Sequence, residues 1–235
     1  EGKNEAGLYK TFNDDTGNFF IDGNHLYLAS PKANHVFVYN KYTFEPSIDH
    51  PSIIYQGKTY SGYIMPLNDW TYYKGSSYII VDENHLYMTG NDQFILVFDK
   101  FTGQPSRDHP KSRINVDSLK RLYDTDLSGI STAIGDSTLY IFINGNDLYS
   151  IAESIDTIFV HNKLTGQQPV NHDQITYYGK KYGGYRLRPL GSQINQVFID
   201  GDHLYLDNND GYILALKKIN GRKSEDHPEV YFKGN

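Results

Sequence analysis

Four copies of one sequence pattern fill nearly the whole chain, and this repeat constrains the fold more than any other feature. Each copy holds a Leu-Tyr pair, an apolar run, a turn that ends in Thr-Gly or a variant of it, and an Asp-His or Asn-His pair. The Leu-Tyr pairs begin at Leu26, Leu86, Leu148 and Leu204. The acid–His or amide–His pairs begin at Asp49, Asp108, Asn171 and Asp226. A chain of this kind is expected to fold as a series of similar units.

A glycine opens a short apolar segment at the corresponding place in every copy. These glycines are Gly7, Gly62, Gly129 and Gly184. Taken as origins, they divide the chain into repeats of about 7–61, 62–128, 129–183 and 184–235. We therefore predict one domain, residues 1–235, that consists of four repeats.

Short β-branched and aromatic segments make up each copy, and Gly, Asn, Asp and Pro interrupt them about every 8 to 12 residues, which is typical of strands joined by hairpins. The runs Val36–Tyr39 and Phe94–Phe98 are apolar on both faces of a strand, so both faces should be covered. A sandwich covers one face of each sheet, whereas radial stacking covers both. The sequence predicts an all-β fold, a four-bladed β-propeller of four-stranded antiparallel blades. Because a ring must close, the strands Leu8–Phe12 and Val230–Phe232 are expected to be neighbours.

The turn after the apolar run resembles a motif of a known repeat family. Asp99-Lys100-Phe101-Thr102-Gly103 and Asn162-Lys163-Leu164-Thr165-Gly166 resemble the D-x-x-T-G repeat of the PQQ-like (quinoprotein-type) β-propellers. The number of copies is similar to the blade count of hemopexin-like propellers, whose sequence motif is absent. The copies are longer than the usual PQQ-like blade and lack its Trp after Thr-Gly. The resemblance implies a propeller without a quinone, because the large quinoprotein enzymes have about twice the blades and a Cys pair.

Composition excludes several classes of function. The formal net charge of −6 disfavours a general duplex-DNA binder, which needs clustered cations, so no nucleic-acid partner is predicted. The absence of cysteine excludes disulfides, thiol catalysis and Cys-ligated metals. No run of about 18 apolar residues occurs, so no transmembrane segment is predicted. We predict no cofactor, although a structural ion on the propeller axis is compatible with this fold.

The start of the chain bears on its location. Residues 1–6 lack the apolar stretch of a signal peptide, which fits either a mature chain after removal of an export signal or a chain trimmed at a domain edge. We expect an extracytoplasmic protein of the periplasm, the cell surface or the medium. A lipid anchor upstream of Glu1 is compatible with this expectation.

Histidine is the residue type that invites a metal hypothesis, since the chain has nine. Equivalent residues of different blades meet at one ion only if they line the central axis, and these histidines lie next to turns. We therefore predict no metal site. In the favoured interpretation the Asp-His-Pro sequence locks a turn, with Asp accepting backbone N–H groups and Pro fixing φ.

Departures from the repeat give the candidate binding residues. Arg186 and Arg188 stand in the Gly-led segment of the fourth copy, and Lys10 stands in that of the first. If this segment lines a channel, the three cations would make one mouth positive and able to hold an anionic group. Pairing with acids of a neighbouring blade is the other interpretation.

A second group of departures is a loop rich in aromatic residues. It carries Asp69, Trp70, Tyr72 and Tyr73, and Trp70 is the chain's single Trp. Such side chains suit the C–H faces and hydroxyls of a sugar, or a protein partner, and they equally suit packing between blades.

Three hypotheses on function follow. The leading one is a non-enzymatic binding or scaffold propeller, exported, that engages a protein partner through one propeller face. The first alternative is a carbohydrate-binding lectin that uses the loop around Trp70. The second alternative is a glycosidase-type or lyase-type enzyme with Asp, His and Arg at the channel mouth, which would need two carboxylates about 5–10 Å apart.

Overall fold

The computed structural model describes residues 18–30, 35–65, 78–89, 94–112, 127–131, 138–152, 157–177, 179–187, 194–208 and 213–228. The regular structure in these ranges is entirely β, in four antiparallel sheets that follow one another along the chain. Within the same ranges no helix is long and apolar enough to span a bilayer. The all-β prediction is therefore confirmed.

The strands of the first two sheets follow the repeat. The first sheet consists of β1 (Phe19–Asp22), β2 (His25–Ser30), β3 (His35–Asn40), β4 (Ser52–Tyr55) and β5 (Lys58–Ile64). The second consists of β6 (Ile79–Val81), β7 (His85–Thr89), β8 (Phe94–Asp99), β9 (Lys111–Ser112) and β10 (Leu127–Ser131).

The last two sheets continue the same order. The third consists of β11 (Thr138–Asn144), β12 (Asp147–Ala152), β13 (Thr157–Asn162), β14 (Gln174–Tyr177) and β15 (Lys180–Arg186). The described part of the fourth consists of β16 (Ile194–Asp200), β17 (His203–Asn208) and β18 (Ile213–Lys217).

Each of the first three sheets has five strands where four were expected. Their spatial order is first, second, third, fifth, fourth, because the fifth strand pairs with two partners. In the first sheet, the half of β5 that begins at Lys58 pairs with β4, and the half from Gly62 to Ile64 pairs with β3. The hairpin β4–β5 thus adds one outer strand to the predicted four.

The Gly-led segment completes the sheet that precedes it in the chain. Gly62 lies opposite Phe37 of β3, and Gly184 lies opposite Phe159 of β13. A Cβ at Gly62 would overlap the carbonyl oxygen of Val36, and the φ of Gly62 is +141°. Glycine is required here because only a residue without Cβ lets the two strands approach this closely. The repeat boundaries at these glycines stay a prediction, whereas the described sheets end at Ile64, Ser131 and Arg186.

Apolar side chains on both faces of the second sheet hold neighbouring sheets together. Leu86 and Leu96 belong to a buried cluster with Tyr27 and Val36 of the first sheet. On its other face the second sheet contributes Tyr87, Ile95, Val97 and others to a cluster with Ile141 and Leu148 of the third. A third cluster joins Tyr149, Ile158 and Tyr185 of the third sheet to Leu204 and Leu206 of the fourth. The expectation that both faces are covered is met for the second and third sheets.

The sheets approach one another most closely through their first strands. β1 contacts β6, β6 contacts β11, and β11 contacts β16. The third, fourth and fifth strands of adjacent sheets make no comparable approach among the described residues. The sheets therefore diverge from a line of first strands. The segments Leu8–Phe12 and Val230–Phe232, expected to meet at a ring closure, lie outside the described residues.

The close approach at Gly62 gives a test of the sheet geometry. We expect Gly62→Ala to lower the free energy of unfolding by ~3 kcal/mol, because the new methyl group would force β3 and β5 apart. Gly57→Ala is the matched control, since Gly57 also has a positive φ (+76°) but no atom within 4 Å of its Cβ position. We expect the control to cost only ~1 kcal/mol. If denaturant titrations show equal losses of unfolding free energy for the two variants, the close approach of β3 and β5 at Gly62 is contradicted.

Candidate functional site

Three turns of each repeat come together at one end of its sheet. They are the hairpin between the first two strands, the turn after the third strand, and the corner that carries the acid–His or amide–His pair. The first two are joined by a backbone hydrogen bond, in which the N–H of Lys41 donates to the carbonyl of Asn24 at 2.8 Å. The equivalent bonds link Lys100 to Asn84, Lys163 to Asn146, and Lys218 to Asp202. We call this end of the four sheets the corner face.

The turn that resembles the PQQ-like motif is held by its first side chain. The Oδ1 atom of Asp99 accepts the backbone N–H groups of Phe101 and Thr102, at 3.0 and 2.8 Å. Asn40 and Asn162 do the same in their copies. The motif is therefore explained by turn geometry and requires no ligand.

A histidine locks each corner. In the first copy, His50 forms hydrogen bonds with the hydroxyl of Ser47 through Nδ1 (2.8 Å) and with the hydroxyl of Tyr27 through Nε2 (3.2 Å). Ser47 also accepts the N–H of Asp49 at 3.3 Å. His109 and His227 repeat the Ser and Tyr contacts in the second and fourth copies. The turn-locking interpretation holds, but the backbone N–H group is accepted by serine and not by aspartate as we expected.

The aspartate of the corner pairs with a second histidine. The Nε2 atom of His25 lies 3.3 Å from the Oδ2 atom of Asp49. The Nε2 atom of His85 lies 3.5 Å from the Oδ2 atom of Asp108, and the same atoms of His203 and Asp226 lie 3.4 Å apart. The three carboxylates are largely exposed, so each of these histidines lies beside a negative charge at the surface of the corner face.

The third corner departs from this pattern. Pro169 takes the place of Ser47, and Asp147 takes the place of His25. His172 therefore bonds Asp147 at 3.0 Å and Tyr149 at 3.4 Å through Nε2. Its buried Nδ1 atom has no hydrogen-bond partner among the described residues.

Burial favours the neutral form of two corner histidines, His50 and His109. Burial first, and then the neighbouring His25, lower the pKa of His50 to about 4. Burial and His85 do the same for His109, whose pKa also falls to about 4. A neutral imidazole can accept the hydroxyl proton of Ser or Tyr on one nitrogen, which suits the locking role.

Lysines of the turns tie neighbouring sheets together on this face. The ammonium group of Lys100 lies 2.8 Å from the carboxylate of Asp22 in the preceding sheet, and the hydroxyl of Tyr63 donates to the carbonyl of Lys100. Lys163 makes the equivalent ion pair with Asp82, also at 2.8 Å. Burial opposes ionisation of Asp82, but the hydrogen bond from Lys163 and two backbone N–H groups outweigh it and lower its pKa to about 2.

Further contacts make the corner face continuous from sheet to sheet. The ring of Phe101 stacks on His50 of the preceding sheet, with ring centres 5.9 Å apart. His109 lies 2.7 Å from the carbonyl oxygen of Lys163 in the following sheet. The turns of the second and third copies thus rest on the corner of the sheet before them.

Apolar side chains are exposed on this face at equivalent positions of the four copies. The residue after the turn lysine is apolar and exposed in every copy, as Tyr42, Phe101, Leu164 and Ile219. Two residues before the corner histidine, Ile48 is 95% exposed and Val170 is 97% exposed. A group of exposed apolar side chains on one surface is typical of an interaction site.

The predicted binding residues fall mostly outside the described ranges. This applies to Asp69, Trp70, Tyr72 and Tyr73 of the aromatic loop, and to Lys10 and Arg188. Arg186 is described and exposed at the end of β15, opposite Thr157. Its strand, β15, is separated by two other strands from β11, the strand through which the sheet contacts its neighbours. Anion binding by Arg186 stays a prediction.

The sequence analysis missed the apolar positions of the corner face. It treated the shared turns as scaffold only, although apolar residues in the second position of four turns were a usable signal. Within the described ranges, no group of three or more His, Asp or Glu side chains is placed to hold a metal ion.

No known protein family and no curated protein matches the sequence. Several solved structures are similar to this chain. The computationally designed Ika4 protein is 12% identical, with 89% of this chain and 95% of that protein covered and a TM-score of 0.46. Streptogramin B lyase is 13% identical, with 88% of this chain and 56% of that protein covered and a TM-score of 0.45. BamB from Moraxella catarrhalis is 15% identical, with 87% of this chain and 49% of that protein covered and a TM-score of 0.39. The last two are β-propeller proteins, and this chain spans about half the length of each.

The buried corner histidines predict a specific dependence of stability on pH. Below pH 6.5 the unfolded chain takes up protons at His50 and His109, whereas the folded chain does so only near pH 4. Stability is therefore fully present above pH 6.5 and is lost as the pH falls towards 4, by up to ~1.4 kcal/mol per pH unit for each histidine. Denaturant titrations at pH 7.5 and 5.5 measure this loss.

The double variant His50→Gln/His109→Gln is the control for this effect. It should be less stable than the natural chain at pH 7.5, because two hydrogen-bonded corners are altered. It should nevertheless lose less stability on going to pH 5.5, because glutamine does not titrate. Identical pH slopes for the two proteins would show that these histidines are not held neutral by the fold.

Proposed function

We propose that this chain is a closed four-bladed β-propeller that serves as a non-enzymatic binding scaffold and engages a protein partner through the corner face. We further propose that it acts outside the cytoplasm. The single observation that carries the functional part is the exposed apolar set that continues across the turns of all four sheets.

Ring closure is supported by the two end faces of the sheet series, which are the side of the first sheet that faces away from the second and the side of the fourth sheet that faces away from the third. Ile213 of the fourth sheet is 65% exposed, whereas the equivalent Val36, Ile95 and Ile158 are fully buried against the next sheet. Phe198, also on this face, is 59% exposed. The first sheet presents a matching apolar surface on its outer side, with Phe19 exposed on β1. Each end face has the residues of an inter-sheet core, and no sheet of the described residues covers it; in a ring, the other end face would supply that cover.

The support for a protein partner comes from size and composition. The exposed apolar side chains lie on turns of four successive sheets, so they are spread over one end of the sheet series. Broad surfaces of this kind bind macromolecules, whereas small molecules are bound in concave sites that enclose most of the ligand. The lectin alternative rests on the loop around Trp70, outside the described residues, and stays a prediction, as does the enzyme alternative.

A disulfide test addresses ring closure, and the absence of natural cysteine makes the result unambiguous. We expect Phe19→Cys/Phe198→Cys to form an intramolecular disulfide, because the equivalent Ile141 and Ile80 lie in one core cluster between the second and third sheets. Mass spectrometry and non-reducing gels would detect it. As a control, Ile54→Cys/Phe198→Cys should not react, since Ile54 lies on the outermost strand of its sheet. A disulfide between two chains, or none, would argue against a closed ring.

A capture experiment addresses binding. We expect a partner from an envelope extract of the source cells to bind the natural chain and the Ile54→Asn variant, and to be lost with Ile48→Asn/Val170→Asn. Ile54 is 74% exposed on an outer hairpin, so its variant matches the exposure of the altered residues away from the corner face. The affinity of the purified partner for each of the three proteins is then measured by calorimetry. A partner that binds all three proteins equally, or measurable turnover of glycosides or esters by the purified chain, would count against the proposal.

A further inference from the structure

The most exposed apolar residues of the corner face are not required by its fold. Ile48 and Val170 occupy the position after Ser or Pro in the corner, and both are almost fully exposed. Arg107 and Glu225 occupy the same position in the other two copies. The corner therefore accepts apolar, cationic and anionic side chains alike, so Ile48 and Val170 are not explained by packing.

The corner face that carries these apolar side chains has more exposed carboxylates than exposed cations among the described residues. Lys100 and Lys163 are paired with Asp22 and Asp82, so they add little free positive charge. Exposed carboxylates of the corner face include Glu45, Asp49, Glu83, Asp108, Asp200 and Asp226. Glu225 and Asp202 are also exposed, but they face Lys217 and Lys218 at 3.4 and 3.9 Å. Other cations of this face in the described ranges are Lys41, whose Nζ atom lies 4.8 Å from the ring centre of Tyr42, and the exposed Arg107, Arg222 and Lys223. The face thus combines apolar contacts with exposed carboxylates.

This combination selects among the surfaces that could cover the face. A second copy of the chain would bring one set of carboxylates against another, and the chain as a whole carries a charge of −6. An anionic lipid surface would be repelled for the same reason. A polypeptide that alternates cationic and apolar side chains would satisfy both the carboxylates and the exposed Ile, Val and Tyr side chains.

We propose that the corner face binds a cationic, amphipathic polypeptide segment, with apolar side chains of the segment against Ile48, Val170 and Tyr42 and its Lys or Arg side chains against the surrounding carboxylates. This proposal rests on the proposed function and adds the chemistry of the partner. Three of these carboxylates, those of Asp49, Asp108 and Asp226, each lie within 3.5 Å of a histidine and remain largely exposed, so they are accessible to cationic side chains of the segment.

Selection from a library of random short peptides tests the chemistry directly. We expect the natural chain to enrich peptides that contain both Lys or Arg and large apolar residues. The strongest peptide, synthesised and labelled, should bind in fluorescence anisotropy with an affinity that falls as salt is raised. Enrichment of acidic or uncharged peptides, or no enrichment, would overturn the proposal.

Variants locate the binding and separate it from stability. Ile48→Asn/Val170→Asn should weaken binding of the selected peptide by ~10-fold, which corresponds to ~1.4 kcal/mol. Ile54→Asn should leave it unchanged. Both variants should keep the unfolding midpoint of the natural chain, because the altered side chains are exposed. Equal binding by the two variants would place the peptide elsewhere and refute the assignment.

Two further outcomes distinguish this inference from the function on which it rests. If an extract partner depends on Ile48 and Val170 but its contact segment is acidic, the scaffold function stands and the partner chemistry is wrong. If light scattering shows a dimer that Ile48→Asn/Val170→Asn dissociates, the occupant is a second copy, and the cationic segment is excluded.

Discussion

A sheet with apolar side chains on both faces needs a neighbour on each side, and this requirement organises the molecule. The second sheet shows it best, because Leu86 faces the first sheet, Tyr87 faces the third, and both are fully buried. Exposing such a side chain would forgo about 1.5–3 kcal/mol. The repeat supplies the same two-sided sheet four times. The alignment of turns and corners into one face is a consequence of stacking equivalent units in the same orientation.

The sequence was sufficient for the class of fold because strand periodicity and turn residues are local signals. The runs Val36–Tyr39 and Phe94–Phe98 indicated strands covered on both faces, and their described side chains are buried. The sequence did not reveal which sheet receives the Gly-led strand. A strand that follows a turn can pair with the sheet before it or open the next one, and hydrophobic alternation is the same in both cases. The segment from Gly62 pairs with β3 of the preceding sheet, and the equivalent segment that ends at Arg186 pairs with β13. Arg186 therefore lies away from the first strands, through which the sheets contact one another.

The candidate site was harder to predict for a related reason. Comparison of the copies separates shared from unshared residues, but exposure is a property of the assembled sheets. The apolar character that the copies share at Tyr42, Phe101, Leu164 and Ile219 is also typical of core residues, and their place in a turn was the one sequence signal of exposure. Only the position of the turn at the end of the sheet shows that they contact solvent. By contrast, the locking role of the Asp-His pairs was predictable, because Asp, His and Pro beside turns have well-understood local chemistry.

The third corner shows how one copy of the repeat compensates for changed side chains. In the first copy the Ser61 hydroxyl donates to the carbonyl of Ser47, whereas the third copy has Gly183 and Pro169 at these two positions. A Cβ at Gly183 would lie only 3.1 Å from the Pro169 ring, so the loss of one side chain makes room for the other. Among the described residues, the third corner lacks the backbone hydrogen bond that the N–H groups of Ser47, Ser106 and Ser224 donate in the other copies, because Pro169 has no N–H group. His172 also loses the serine partner, and Asp147 supplies a contact to its Nε2 atom. The histidine of the corner thus keeps a side-chain partner in every copy, although the partner and the local backbone bonds differ.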